Sequence, residues 1–146
     1  MDSTAIPAAE PAVVDDPPVL LLPPDDGTDR SQAPLPVLVA HIQTGYHRPL
    51  EAALPVLVQL AAKVHRVHGG TVPQELRVIL DTVLALETEL TAHMAKEEQA
   101  FFPMILAGHG ADGAGLVGML EEDHADAKRA LAELRVLTGG YVPPAG

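Results

Sequence analysis

The stretch "ELTAHMAKEEQAFFPMI", residues 89–105, places a histidine four residues before a glutamate on a predicted helix. Because residues four apart lie on the same helix face, His93 and Glu97 would present an imidazole and a carboxylate side by side. Together these groups suit Fe, Zn, Mn or Cu. The pair therefore indicates a metal site, although the HxxxE pattern alone occurs by chance on many helices.

Two more histidines, His47 and His124, lie on the apolar faces of two other predicted helices, over about 36–68 and 113–138. Pro49 and Pro55 each remove a backbone hydrogen bond from the first helix and predict a kink there. Steps of three and four residues predict these buried faces: His47, Leu50, Leu54, Leu57, Ala61, Val64 and His68; Val72, Leu76, Ile79, Val83, Leu86, Leu90, His93, Glu97, Ala100 and Met104; Val117, Leu120, His124, Ala127, Leu131 and Leu134.

The three histidines are predicted to lie in one layer. Helices joined by short loops pack as antiparallel neighbours. At about 1.5 Å per residue, His47 and His93 each lie roughly 30 Å from the first loop, and His93 and His124 each lie about 18 Å from the second. Burying these groups together with Glu97 and without partners would be costly, and a bound cation offsets that cost. The alternative is that each is an ordinary core or boundary residue.

The composition narrows the class of protein. The chain has 146 residues, a net charge of −11 and no cysteine. The acidic balance argues against nucleic acid or an anionic membrane as a partner and favours cations. The lack of cysteine excludes thiolate ligands and disulfides and favours an intracellular, cytoplasmic setting. No apolar run approaches the roughly 20 residues that a membrane-spanning helix needs.

The chain divides into a tail and one helical domain. Residues 1–34 carry paired prolines and many acids without any helical or strand period, which predicts a disordered acidic tail rich in proline. Residues 35–146 are predicted to form a single helical domain. The run "VLLL" at 19–22 is either a docking motif or an incidental apolar run.

Three segments carry a family resemblance: "HIQTGYHRPLEAALPVLVQLAAKVHRVHG", "LTAHMAKEEQAFFPMI" and "MLEEDHADAKRALAEL". From about residue 37 onward the chain resembles the hemerythrin-like domain of the iron-sulfur cluster repair di-iron proteins. The resemblance implies an all-α, up-down helical bundle around a non-haem di-iron centre. By motif position, His47, His93 and His124 would be terminal ligands and Glu97 a bridging carboxylate. The implied function is iron-sulfur cluster repair or a response to NO and O2 stress.

The resemblance also implies a fourth helix with a further histidine and a further bridging glutamate. The sequence stops at "TGGYVPPAG", which is similar to the linker before that helix, so we expect three of the four helices and an incomplete set of iron ligands. The adjacent cysteines of a short N-terminal domain, found in many members, are absent. Three helices would leave an apolar strip open, to be covered by a second copy of the chain, a partner helix or the "VLLL" run.

The residues leave three functions open: a di-iron protein of repair and stress response, a mononuclear Fe or Zn protein for sensing or storage, and a metal-free helical interaction module. Glu121, one turn before His124, is either a substitute carboxylate ligand or a solvated acid. Glu98 is expected to be solvated, and His41 to be a boundary residue. No nucleophile triad, phosphate loop or nucleotide fingerprint is present, so no catalytic residue is assigned.

Overall fold

The computed structural model describes residues 27–71 and 73–142, which form three helical rods joined by short loops. The described part of the chain contains no strand, which confirms the predicted all-α bundle. The first rod consists of α1 (Leu35–Ile42), a π-helical turn (Gln43–His47) and α2 (Arg48–His68). The second consists of α3 (Pro73–Lys96), another π-helical turn (Glu97–Phe101) and α4 (Phe102–Leu106); a 3-10 turn (Gly110–Gly113) then leads into the third, α5 (Ala114–Leu137).

The second rod lies between the other two, since α3 packs against both α2 and α5. The predicted ends of the three helices agree with the observed ones to within about two residues. The second rod ends at Leu106 because the chain turns at Gly108, whose φ of +83° is in the left-handed region that favours glycine.

The prolines of the first two rods do not end them. Pro49 and Pro103 are the second residues of α2 and α4, directly after the two π-helical turns. A proline ring clashes with the carbonyl four residues earlier, here that of Gly45 or Gln99. Both carbonyls lie inside a π-helical turn, where the backbone bonds span five residues and the helix is wider. Each rod therefore continues through its proline, and α2 continues through Pro55 as well.

The second π-helical turn shifts the apolar face of the second rod by one residue. The backbone N–H of Phe102 donates to the carbonyl of Glu97, five residues earlier. As a result Phe102 is buried and Ala100 is exposed. The prediction that Ala100 faces the core was wrong, because it assumed an unbroken α-helical period.

The core lies between the three rods, around the middle of α3. Val83, Leu86 and Leu134 form its buried centre. Partly buried residues of all three rods pack around this centre: Val58, Ala61, Ile79, Leu90, Ala127 and Ala130.

An apolar cleft of about 850 Å³ opens beside this core, between the second half of α2, the first half of α3 and the end of α5. Leu57, Val64 and Leu131, which were predicted to be buried, line it and are 42%, 45% and 48% exposed. They are exposed because no other element of the described chain covers this side of the three rods. The open apolar strip expected from the sequence is therefore present.

Some predictions concern residues outside the described ranges, among them Val72 and the "VLLL" run at 19–22. Residues 27–34 form no helix or strand. The division into a tail of residues 1–34 and a domain of residues 35–146 therefore stays a prediction. Among the described helices, none combines the length and the hydropathy needed to span a membrane.

Candidate metal centre

Each π-helical turn carries one candidate ligand. His47 is the last residue of the first turn and Glu97 is the first residue of the second, and both side chains are buried. Such turns are frequent at functional sites, because they redirect a side chain within an otherwise regular helix. The helical period alone did not predict them. The signal that could have revealed them is Pro49 and Pro103, two prolines inside segments whose helical period does not stop.

Glu97 stands between histidines of two rods. Its Oε2 atom lies 2.9 Å from Nε2 of His47 and 3.6 Å from Nε2 of His93. His93 is also buried. The same oxygen atom of Glu97 therefore faces Nε2 of both His47 and His93, which agrees with the predicted layer.

The third rod brings His124 to the same place. Its ring centroid lies 4.4 Å from that of His93, and ligand atoms of His93, Glu97 and His124 all lie within 4.8 Å of one another. The structure therefore gathers all four residues singled out from the sequence. His124 is exposed, however, which contradicts the expected burial. Its side of the layer is open because the described chain provides no helix opposite it.

Two acidic residues contact Nδ1 of the two buried histidines, the ring nitrogen that does not face Glu97 and is called the outer nitrogen below. Nδ1 of His47 lies 2.8 Å from Oε1 of Glu98, and Nδ1 of His93 lies 3.2 Å from Oδ2 of Asp123. The expectation that Glu98 is solvated was wrong, since only 24% of its side chain is exposed. Asp123 was missed, because an acid in the run "EED" has the pattern of a solvated helix face.

A cation backs each of these acids. Arg48 is paired with Glu98, and Nζ of Lys96 lies 2.7 Å from Oδ2 of Asp123. The hydrogen bond from His47, with the nearby Arg48, holds the pKa of Glu98 below its ordinary value. The hydrogen bond from Lys96, followed by that from His93, lowers the pKa of Asp123. Both groups are therefore carboxylates at neutral pH.

The remaining candidates lie around this cluster. The ring of Phe102 stacks on that of His47, with centroids 5.8 Å apart, and covers one face of the imidazole with apolar carbon. Glu121 is exposed and is not part of the group of mutually close ligand atoms, which favours a solvated acid. His41 is half-buried at the edge of the bundle and contacts the ring of Tyr46.

The donor set suits iron. Three imidazoles and one carboxylate are nitrogen and oxygen donors of the kind that bind Fe and Zn, and there are too few oxygen atoms for Ca²⁺. In His47 and His93 the outer nitrogen already faces a carboxylate, which directs Nε2 inward. Within the described residues, no buried side-chain nitrogen or oxygen lacks a hydrogen-bond partner.

Acid is expected to destabilise the metal-free protein partly through Glu98 and Asp123. Their folded-state pKa values lie below the ordinary 4.5 and 3.8. The stabilisation is therefore complete above those ordinary values and is lost as the pH falls through the lowered folded values. Urea denaturation between pH 7 and 3 should show a smaller loss of stability below about pH 4.5 in Glu98→Gln than in the unchanged chain.

The matched control for this acid titration is Glu121→Gln, which changes an exposed acid one turn from His124. Its stability should follow that of the unchanged chain across the same pH range. Equal acid sensitivity of the unchanged chain and Glu98→Gln would contradict the role given to the Glu98 carboxylate.

Comparison with known proteins agrees with this geometry. Residues 38–145 match the family described as "Hemerythrin HHE cation binding domain". The iron-sulfur cluster repair protein YtfE of Edwardsiella ictaluri is 42% identical over 125 residues, which cover 84% of this chain and 55% of that protein. The YtfE proteins of Pectobacterium atrosepticum and Yersinia pseudotuberculosis are 38% and 39% identical with the same coverage.

The chain thus spans about half the length of the curated relatives that it matches. The hemerythrin HHE domain binds iron, the metal that the donor set suits. The match begins within α1, continues through all three rods and includes the four clustered side chains, so the chain belongs to the hemerythrin HHE cation-binding domain family.

Proposed function

We propose that this chain is a non-haem di-iron protein that acts in iron-sulfur cluster repair or in the response to NO and O2 stress. The observation that carries the proposal is Oε2 of Glu97, which faces Nε2 of His47 and Nε2 of His93 from two different rods. The similarity to proteins named for iron-sulfur cluster repair supports the same conclusion.

The arrangement favours two neighbouring cations over one. His93, His124 and Glu97 form a group of mutually close ligand atoms that does not include His47. His47 lies against the same carboxylate and would serve a second cation beside the first. A carboxylate between two sets of imidazoles is a natural bridge, since its two oxygens offer about four lone-pair sites.

The residues of the chain would hold the iron and orient the imidazoles around it. When iron is bound, it supplies redox and Lewis-acid chemistry toward small molecules such as NO or O2. Phe102 shields one face of the His47 imidazole from water. Glu98 and Asp123 keep the outer nitrogens of His47 and His93 engaged.

Further ligands and a cover for the open side would come from a second copy of the chain or from a partner helix. The exposed His124 and the apolar cleft along α2, α3 and α5 support this part of the proposal. We place the protein in the cytoplasm, in keeping with a chain that has no cysteine to form disulfides.

A mononuclear Fe or Zn site for sensing or storage is the second candidate function. The specific observation in its favour is that His93, Glu97 and His124 alone bring three ligand atoms within 4.8 Å of one another. Three protein ligands with an open position are enough for a single metal ion. In this case His47 would be dispensable for metal binding.

Metal content per chain, measured with the oligomeric mass on protein purified anaerobically with added iron, separates these functions. The di-iron proposal predicts two irons per chain, a lower content in His47→Ala, and little or none in His93→Ala. One iron per chain that survives His47→Ala would favour the mononuclear site. An unchanged chain that binds one zinc but no iron would favour a mononuclear zinc site, and one that binds neither metal would overturn both functions and leave a helical interaction module.

Repair itself is testable on an enzyme whose [4Fe–4S] cluster has been damaged by NO. Added iron-loaded protein should restore activity faster than buffer containing the same amount of free iron, and iron-treated His93→Ala should not. Equal recovery with His93→Ala would contradict a role of this centre in repair.

A further inference from the structure

We propose that Glu98 and Asp123 are positioning residues: each engages Nδ1 of its histidine, His47 or His93, and so directs Nε2 toward Glu97, where a cation would bind. The proposal rests on the proposed function in one respect, because it takes Nε2 to be the atom that meets the metal. The preference of Nδ1 for its outer acid does not need a bound metal and can be measured without one.

The same geometry is built twice. In both histidines Nδ1 faces an acid, at 2.8 Å in the pair His47–Glu98 and 3.2 Å in the pair His93–Asp123. In both, Nε2 faces Oε2 of Glu97. When a cation is bound at Nε2, the imidazole is neutral and donates its one N–H from Nδ1 to the outer carboxylate. Without a cation, Nε2 of His47 lies at hydrogen-bond distance from the Glu97 carboxylate, which competes with the outer acid for that N–H.

Each acid is itself held by a cation on the same oxygen atom. Oε1 of Glu98 accepts from both His47 and Arg48, and Oδ2 of Asp123 accepts from both His93 and Lys96. A carboxylate tied in this way loses little further freedom when it orients the ring.

Each contact crosses from one rod to the next. Glu98 belongs to the second rod and serves His47 of the first, whereas Asp123 belongs to the third rod and serves His93 of the second. Orientation of the two imidazoles therefore depends on the packing of all three rods. An ion pair that merely joined two helices would need the arginine or lysine but not the histidine.

The first test is the tautomer of each imidazole in the full metal-free chain that carries Glu97→Ala, which removes the competing carboxylate from Nε2. It is read from side-chain 15N NMR at alkaline pH, where free imidazole is neutral. We expect protonated Nδ1 in both His47 and His93. Glu98→Leu should alter the tautomer of His47 alone, and Asp123→Leu that of His93 alone. Glu98→Gln and Asp123→Asn should preserve both, because an amide oxygen still accepts from Nδ1.

Neutral imidazoles with the proton on Nε2 in the Glu97→Ala chain would overturn the proposal, and so would tautomers that both leucine variants leave unaltered. The Glu97→Ala chain and the two amide variants keep the test decisive if a leucine variant fails to fold.

The second test is Fe²⁺ affinity, measured by competition with a chelator. Losing an outer partner of a ligand typically weakens metal binding about 10- to 100-fold, and we expect that loss in each leucine variant. The amide variants should bind Fe²⁺ more tightly than the leucine variants and close to the unchanged chain, as rescue by a retained acceptor requires.

The two tests separate the two possible failures. Protonated Nδ1 in the Glu97→Ala chain, together with an unchanged chain that binds no iron, would overturn the proposed function and support the positioning role. Full iron affinity in both leucine variants would overturn the positioning role and leave the proposed function standing.

Discussion

Replacing Glu97 with alanine is expected to empty the centre of iron while the helices stay folded. Glu97 is the one carboxylate among the four clustered side chains, and its Oε2 atom faces Nε2 of both His47 and His93. Loss of an outer partner costs about 10- to 100-fold in affinity, so loss of a shared direct ligand should cost more than about 100-fold. In the proposed di-iron centre the same side chain would serve both cations, so both cation positions should be lost together.

The fold should tolerate this change. The alanine variant leaves Nε2 of His47 without its carboxylate partner, at a cost of about 1–3 kcal/mol for an unsatisfied buried group. The imidazole is still held through Nδ1 by Glu98 and through its ring face by Phe102. Removal of a buried acid also relieves its own desolvation, which offsets part of the cost.

Iron content after anaerobic reconstitution is the measurement, together with helicity by circular dichroism. Glu121→Ala is the matched control, because it removes an exposed acid one turn from His124 and should bind iron like the unchanged chain. Glu97→Gln separates the effect of the carboxylate charge from the effect of the side-chain shape, since the amide fills the same space but is a weaker metal ligand. Full iron content in folded Glu97→Ala would contradict the role of Glu97 as a shared ligand.

The sequence was sufficient to predict the layer in which the candidate ligands meet. An α-helix rises by a fixed distance of about 1.5 Å per residue, and short loops force neighbouring rods to be antiparallel, so distances along the chain become heights in the bundle. That is why the spacing of His47, His93 and His124 along the chain is enough to place them together. The contacts of His47 and His124 with Glu97 and His93 agree with that placement.

The π-helical turns could not be predicted from the same period. Each inserts one residue, and the apolar pattern reveals the insertion only after it, as at Ala100 and Phe102. The outer carboxylates were missed for a different reason. Glu98 and Asp123 each act on a histidine of another rod, and a pattern read along one helix contains no information on which neighbouring side chain an acid will meet.

The prediction of buried residues was least accurate on the side of the rods that no other element of the described chain covers. The period of three and four residues identifies the apolar face of a helix, but it does not state whether another element covers that face. Leu57 and Leu131 lie on the predicted faces and line the open cleft, while Leu54 and Leu134 on the same helices are buried.

The largest loss of stability is expected for Leu86→Ala. Leu86 is 3% exposed at the centre of the core, where it packs with Val83 and Leu134. Truncation of such a leucine removes buried methyl groups and leaves a cavity, at a cost of about 2–5 kcal/mol. Domains of this kind are stable by only about 5–15 kcal/mol, so this one change should remove a large share of the free energy of unfolding.

Leu131→Ala is the matched control, because it removes the same atoms from a leucine that is 48% exposed in the cleft. Its cost should stay near or below about 1 kcal/mol, since about half of that residue already contacts solvent. Urea denaturation of the metal-free protein, followed by circular dichroism, measures both. Equal losses in the two variants at low protein concentration would contradict the open cleft.

Protein concentration adds a further distinction to the same pair of variants. If a second copy of the chain covers the cleft, the loss at Leu131 should grow with concentration, because the alanine then weakens association as well as folding. The free energy of unfolding that Leu86→Ala removes should not change with protein concentration, since that side chain is already enclosed by the rods of its own chain. A concentration-dependent loss confined to Leu131 would therefore identify the cleft as the surface on which two copies meet.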